Sequence, residues 1–306
     1  MRALKKIELD DIVFVDIETS SVVKELEIDT PLFDAWAYKF KSENLSNDEI
    51  IAKFNQTAAL YAEFGRIVCI SVGRLWKGEF VMNTYNNLDE KQLILDFYSF
   101  LDKINSKDVI ICGHAVKSFD IPYIVQRGII NNLIPHELVD TSGLKPWESD
   151  WVLDTKDLWS GMSFNKSSLI GITTALGLPS PKDDISGADV PALFWKNPEG
   201  NIDRISKYCE KDVKAVFDVM FKLKNLGKDD VLNIESSPVI QVLFDGKRYT
   251  DAHKREILIL LRSLNASDQA KSFVILESIV SGAKGKKTKF TKDHIKELKE
   301  ILKNDE

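Results

Sequence analysis

Four consecutive apolar residues, Ile12 to Val15, run directly into Asp16-Ile17-Glu18. A short apolar run bounded by polar residues reads as a buried strand. Side chains alternate along a strand, so Asp16 and Glu18 are expected to project from one face, side by side at the strand's end. Like charges held that close are costly unless a cation neutralises them, and a divalent ion with oxygen ligands answers that need. Taken alone, the pair also fits two solvated acids at a strand end.

Other segments set the fold class. Val109–Cys112 is a second short buried strand, stopped by Gly113. Ile67–Trp76 and Glu79–Asn83 flank Lys77-Gly78 as a hairpin, and Trp151–Asp154 forms a further strand. Helical spacing runs through Asn47–Phe64, with Ser46 or Asn47 as cap, then Gln92–Ile104, and Phe119–Arg127 with Ser118 as cap. It returns in Ser168–Leu176 closed by Gly177, in Val190–Trp195, and in Ile202–Leu226 closed by Gly227. Strands come first, helices interleave and the second half is mostly helix, which predicts an α/β sheet with helices on its faces. A boundary is expected within Gly227–Pro238. It separates residues 1–227 from a helical C-terminal extension, 228–306, with helices at Asp251–Leu264, Asp268–Val280 (cap Ser267) and Thr291–Lys303.

Composition narrows the chemistry. The three cysteines, Cys69, Cys112 and Cys209, are scattered with no C-x-x-C pair, which argues against a disulfide framework and a thiolate zinc site. Cys69 and Cys112 sit in apolar runs and read as buried small hydrophobes. The four histidines show no metal-binding spacing. A net charge of -6 argues against a protein that coats nucleic acid, but not against an enzyme whose metal-loaded carboxylates supply local positive charge. No apolar run approaches a membrane span and MRALKKIELDD lacks a signal-peptide core, so the expectation is a cytoplasmic protein with no membrane partner.

Two further motifs follow the first. In Gly113-His114-Ala115-Val116-Lys117-Ser118-Phe119-Asp120-Ile121-Pro122, a strand ends and Asp120 enters the first turn of a helix, where the helix dipole favours an acid. In Tyr208-Cys209-Glu210-Lys211-Asp212, the spacing of four places Tyr208 and Asp212 on one helix face. Each alone has an ordinary structural explanation: an N-terminal acid, or a tyrosine packed on the sheet beside a solvated aspartate.

In this order, D-x-E on a strand, F-D-x-P opening a helix and Y-x-x-x-D within a helix resemble the DEDD exonuclease superfamily. The chain is similar to its tyrosine subclass, and in particular to the proofreading exonuclease domains of family-B DNA polymerases and their stand-alone relatives. The stretches DTKDLW (Asp154–Trp159), SLIGITTALGLPSPK (Ser168–Lys182) and DISG (Asp184–Gly187) share the likeness, which covers about Asp11–Leu226. Lys207 stands where the histidine subclass would carry its histidine. Ala115 departs from the asparagine usual after Gly-His, a change expected to alter how the substrate strand is held.

The resemblance implies a ribonuclease H-like mixed sheet flanked by helices, and a 3′–5′ exonuclease that releases nucleoside monophosphates from single-stranded DNA. Asp16, Glu18, Asp120, Tyr208 and Asp212 would be catalytic. Asp16, Glu18, Asp120 and Asp212 would hold two divalent cations, Mg2+ or Mn2+, and Tyr208 would orient the attacking water. Backbone near Ile17 and Thr19 would meet the 3′-terminal nucleotide. Phe119 would stack a base, with Trp36, Tyr38 and Lys39 extending that platform unless, as expected for Trp36, they pack inside. Lys284–Lys289 either grips phosphates or forms a solvated turn. Proofreading would act in trans, since no polymerase domain is expected in a chain of this length. The C-terminal helices would pack on the nuclease or dock a replication or repair protein. Rival readings are an exoribonuclease of the same fold and a non-catalytic nucleic-acid clamp or polymerase accessory subunit.

Overall fold

The structure is a computed structural model. It describes residues 4, 6–76, 79–104, 109–145, 148–181, 185–224, 249–262 and 290–304, with isolated positions at 269, 272, 273, 276, 277 and 280. Five strands form one sheet: β1 (Ile12–Ser21), β2 (Gly65–Trp76), β3 (Glu79–Asn86), β4 (Ile110–Gly113) and β5 (Val152–Asp154), in spatial order β3-β2-β1-β4-β5. β1–β2 and β2–β3 are antiparallel, and β1–β4 and β4–β5 are parallel. This mixed sheet, flanked by helices, is the ribonuclease H-like arrangement expected.

The pleat of β1 sorts the core. Val13, Val15 and Ile17 face one way, onto α3 (Glu90–Ile104) and α4 (Asp120–Ile130), through Leu93, Phe97, Ile121 and Ile124. Ile12 and Phe14 face the other way, onto the long helix α8 (Pro198–Lys224), through Val213, Val216, Phe217 and Met220. Phe14 and Phe217 meet edge to face, with ring centroids 5.5 Å apart. Asp16 and Glu18 continue the α8-facing row.

β1 is longer than its apolar run. It continues to Ser21 because β2 pairs with it throughout, with a register shift between Glu18 and Thr19. The two acids therefore lie inside the strand. What ends beside them is the parallel partner: β4 is in register only with Ile12–Phe14. Gly113 closes β4 where a Cβ would come within 2.8 Å of the Val15 carbonyl oxygen.

A small second core sits where β1 ends and β2 begins. The polar stretch after β1 forms α1 (Pro31–Lys39), capped by Thr30, and α2 (Asn47–Thr57) opens with a capping box of Ser46 and Glu49. α2 is shorter than its apolar spacing predicts, because Ala58–Leu60 tightens into a 3-10 turn. Trp36 is fully buried among Phe33, Phe54 and Phe64, its Nε1 donating to the Ile50 carbonyl at 3.1 Å. Tyr38 is exposed, and Lys39 lies over the Tyr61 ring. The start of α4 also differs: Phe119 is the N-cap, and Ser118 Oγ donates back to the Ala115 carbonyl.

The remaining helices are α5 (Thr155–Ser160), α6 (Leu169–Leu176), capped by Ser168 and closed by Gly177 in the left-handed region, and α7 (Val190–Lys196). Farther on, Asp251–Arg262 and Lys292–Asn304 are helical. They share an apolar cluster of Ile257, Leu258, Leu261, Leu298 and Leu302, while Ile259 packs against the α8 side of the main core. The Lys77-Gly78 turn, Lys182, Asp184, the Gly227–Pro238 boundary, the Ser267 cap and Lys284–Lys289 lie outside the described residues. Among the described residues no helix is long and apolar enough to cross a membrane.

Candidate active site

The acids of all three motifs converge beside β1, near where β4 ends. β1 supplies Asp16 and Glu18, the first turn of α4 supplies Asp120, and α8 supplies Tyr208, Cys209 and Asp212. Asp120 is buried, and its Oδ1 accepts the Ile17 backbone N–H at 3.0 Å. Ligand atoms of Asp16, Glu18 and Cys209 all lie within 4.8 Å of one another.

The electrostatics are those of crowded acids. Burial, then the charges of Asp120 and Asp212, hold Asp16 well above the usual carboxylate range, opposed by the Cys209 thiol. Burial and Asp16 do the same to Glu18, with Cys69, Asp212 and Asp120 adding to it. Burial pushes Asp120 up to about 7, against backbone N–H groups that favour its ionised form, and Asp212 up to about 6, opposed by a hydrogen bond from Tyr208. The Tyr208 phenol is raised by burial and then by Asp212, Glu18 and Asp16, so it remains a proton-bearing donor.

Two contributors were not singled out from sequence. Cys209 Sγ lies 3.2 Å from Asp16 Oδ2 and 3.3 Å from the Asp16 carbonyl oxygen. It belongs to the buried stripe that continues through Val213, and no motif distinguishes a thiol there from packing. Asp154, in the DTKDLW stretch, is the other. It is buried, and its carboxylate accepts from the backbone N–H groups of Ala115, Lys117 and Lys156. His114 is half-buried, with Nδ1 3.1 Å from Thr155 Oγ1, and burial lowers its pKa.

Of the residues expected to meet substrate, Ile17 and Thr19 lie on β1 and Phe119 is the N-cap of α4. The Ile17 side chain is in the core opposite the acids, and its N–H is taken by Asp120. Thr19 is buried and its hydroxyl donates to the Ala59 carbonyl at 2.8 Å. Phe119 is half-buried, tilted against Tyr123 with ring centroids 5.4 Å apart. Lys207 is exposed.

The sheet order, with the acid cluster beside its central strand, defines a ribonuclease H-like α/β domain. Residues 57–236 match the family described as "Predicted 3'-5' exonuclease related to the exonuclease domain of PolB", and the chain belongs to that family. The matched stretch holds Asp120, Tyr208 and Asp212, while Asp16 and Glu18 precede it and join them through the sheet. The chain is also similar to the DNA polymerase catalytic subunit of Saimiriine herpesvirus 2 (strain 11), at 26% identity over 190 residues, covering 54% of this chain and 18% of that protein. The solved family B DNA polymerase of the hyperthermophilic archaeon Pyrobaculum calidifontis aligns with a TM-score of 0.43 and 13% identity, over 82% of this chain and 28% of that one. The chain thus spans less than a third of the length of either polymerase.

Proposed function

We propose that the chain is a metal-dependent 3′–5′ exonuclease of the tyrosine subclass that hydrolyses the terminal phosphodiester of single-stranded DNA. The observation that carries the reading is the convergence of Asp16, Glu18, Asp120 and Asp212, each with raised proton affinity, beside a phenol that stays protonated. Four crowded carboxylates are unfavourable as a purely structural feature. They become favourable around cations, and carboxylate oxygens of Asp16 and Glu18 lie within 4.8 Å of each other, close enough to share one. The nuclease unit is assigned to residues 1–227, with 228–306 as a helical extension.

In this reading Asp16, Glu18, Asp120 and Asp212 hold two divalent cations, Mg2+ or Mn2+, which when bound lower the pKa of water and stabilise the attacking and leaving oxygens. The chain's own residues do the rest. Tyr208 donates a hydrogen bond that orients the attacking water, since a phenol raised above its ordinary value of about 10 does not serve as a base near neutrality. The Ile17 N–H fixes Asp120 relative to β1. The half-buried Phe119 ring beside the cluster offers a stacking surface to the terminal base, a contact tolerant of any sequence.

The test uses a 5′-labelled single-stranded DNA oligonucleotide and a matched RNA, with Mg2+ or Mn2+, and with EDTA and Asp16→Ala as controls. A descending DNA ladder absent from both controls supports the reading. A ladder on RNA alone makes the chain an exoribonuclease. Binding without cleavage of either strand makes it a clamp.

A further inference from the structure

We propose that Asp154 is a positioning residue for Asp120: its carboxylate clamps the loop between β4 and α4 in the left-handed turn that delivers Asp120 to the acid cluster. The inference rests on the exonuclease reading above and assigns a role to a residue outside its acid set.

The clamp is built from backbone donors. Asp154 closes β5 directly beside Gly113, the last residue of β4. Its Oδ1 accepts from Ala115 N at 2.9 Å and its Oδ2 from Lys117 N at 3.2 Å. The same Oδ1 accepts from Lys156 N at 2.9 Å, capping α5. The carboxylate is 4% exposed, so its charge is met mainly by these N–H groups.

What it holds is strained. Ala115 has φ +63°, a region that L residues other than asparagine and aspartate seldom adopt. The strained turn aims the Ala115 carbonyl at the start of α4, where it accepts from Ser118 N at 3.0 Å and Phe119 N at 2.9 Å. The Val116 carbonyl accepts from Ile121 N at 3.1 Å. Phe119, the N-cap, makes no side-chain capping bond. The first turn of α4, and Asp120 within it, is therefore registered by the loop carbonyls. Those are set by the Ala115 conformation, and that conformation is held from below by Asp154. Thr155 braces the near end, its hydroxyl donating to the Gly113 carbonyl at 3.1 Å.

Asparagine at 115 would favour the left-handed turn unaided, so the chain's alanine makes the clamp more necessary. This separates positioning from a plain structural role, because a defect in β5 or in the α5 cap would not respond to residue 115. Asp154→Asn keeps a good cap for α5 but turns an amide N–H toward the Lys117 N–H. Wild type, Asp154→Asn, Ala115→Asn and the double variant would be compared by Mn2+ titration monitored by electron paramagnetic resonance, by kcat and KM on the DNA oligonucleotide, and by melting. Asp154→Asn should lose about 10- to 100-fold in Mn2+ affinity or kcat, the usual effect of disturbing a group that orients a metal ligand, with KM for the oligonucleotide unchanged. Adding Ala115→Asn should restore part of the loss in Mn2+ affinity, measured against Ala115→Asn alone as its reference. If Asp154→Asn does not fold, Asp154→Ser, which keeps a capping oxygen but reaches neither Ala115 nor Lys117, is paired with Ala115→Asn in the same way. Wild-type Mn2+ affinity and kcat in the Asp154 variant, or a loss that Ala115→Asn leaves untouched, would overturn the proposal. A wild type that binds Mn2+ without cutting defeats the exonuclease reading and leaves the Mn2+ comparison to judge Asp154. A wild type that neither binds nor cuts overturns both.

Discussion

The backbone N–H of Ile17 donates to Asp120 Oδ1 at 3.0 Å, joining residues 103 apart in sequence. The second-motif acid is thereby latched to the strand residue that separates Asp16 from Glu18. Asparagine at 120 can still accept that N–H through its own Oδ1, but it removes the charge. Asp120→Asn should therefore melt no lower than wild type in EDTA. It should lose roughly a hundredfold or more in kcat, the scale of removing one preorganised electrostatic group. A variant that melts several degrees lower in EDTA would show that the carboxylate contributes to the fold.

The raised acids make the metal-free protein sensitive to pH. Burial holds Asp120 at about 7 and Asp212 at about 6, both above the ordinary aspartate value of 3.8. An acid that binds its proton more tightly when folded stabilises the fold fully below its unfolded pKa. That contribution is lost as pH rises through the folded value. With EDTA present, the melting temperature should fall between about pH 5 and pH 8. Mg2+ or Mn2+ should raise it more at pH 8 than at pH 5, because ligand acids must be ionised to bind. A metal response equal at both pH values would contradict a carboxylate site.

Tyr208 lies beside three of the acids that raise its phenol, which keeps its proton on. Tyr208→Phe removes the donor but keeps the ring that packs beside Phe194 and Ile205. The expected loss is roughly 10- to 100-fold in kcat, the worth of one hydrogen bond to a charged group, with KM and melting temperature little changed. The pH dependence of kcat should keep its shape in the variant. A basic limb that disappears with the phenol would instead make Tyr208 a titrating base.

How much of this was legible follows from which interactions are local. The α8-facing row of β1 was readable because Ile12, Phe14, Asp16 and Glu18 obey a period of two, and Tyr208 and Asp212 because they obey the helical spacing of four. The length of β1 was not. Asp16 looks like a terminus, but Thr19, Ser20 and Ser21 are buried by distant partners, including Trp195, whose Nε1 donates to the Ser21 carbonyl at 3.1 Å. α1 was hidden because its only buried positions, Phe33 and Trp36, are too few to show a period. Cys209 and Asp154 act through contacts 193 and 39 residues away, which no local pattern encodes.

The expected cost of disturbing the scaffold can be separated from the chemistry at Glu90 and Arg127. They form a buried ion pair, Nη2 to Oε2 at 2.5 Å, with side chains 8% and 6% exposed, and join α3 to α4. Glu90 Oε1 also accepts from Ile67 N at 2.7 Å, and Arg127 Nη1 donates to the Ala62 carbonyl at 2.9 Å. The pair therefore ties the helix that carries Asp120 to the start of β2. Removing one partner strands a buried charge, so Glu90→Gln or Arg127→Met should each cost about 3–5 kcal/mol in denaturant unfolding. The double variant Glu90→Gln/Arg127→Met should cost less than the sum of the singles, since the second change removes the stranded charge. Below the unfolding transition, folded Glu90→Gln should bind Mn2+ as wild type does. A parallel loss of Mn2+ affinity would mean that the α3–α4 tie, and not only the loop before it, holds Asp120 in place.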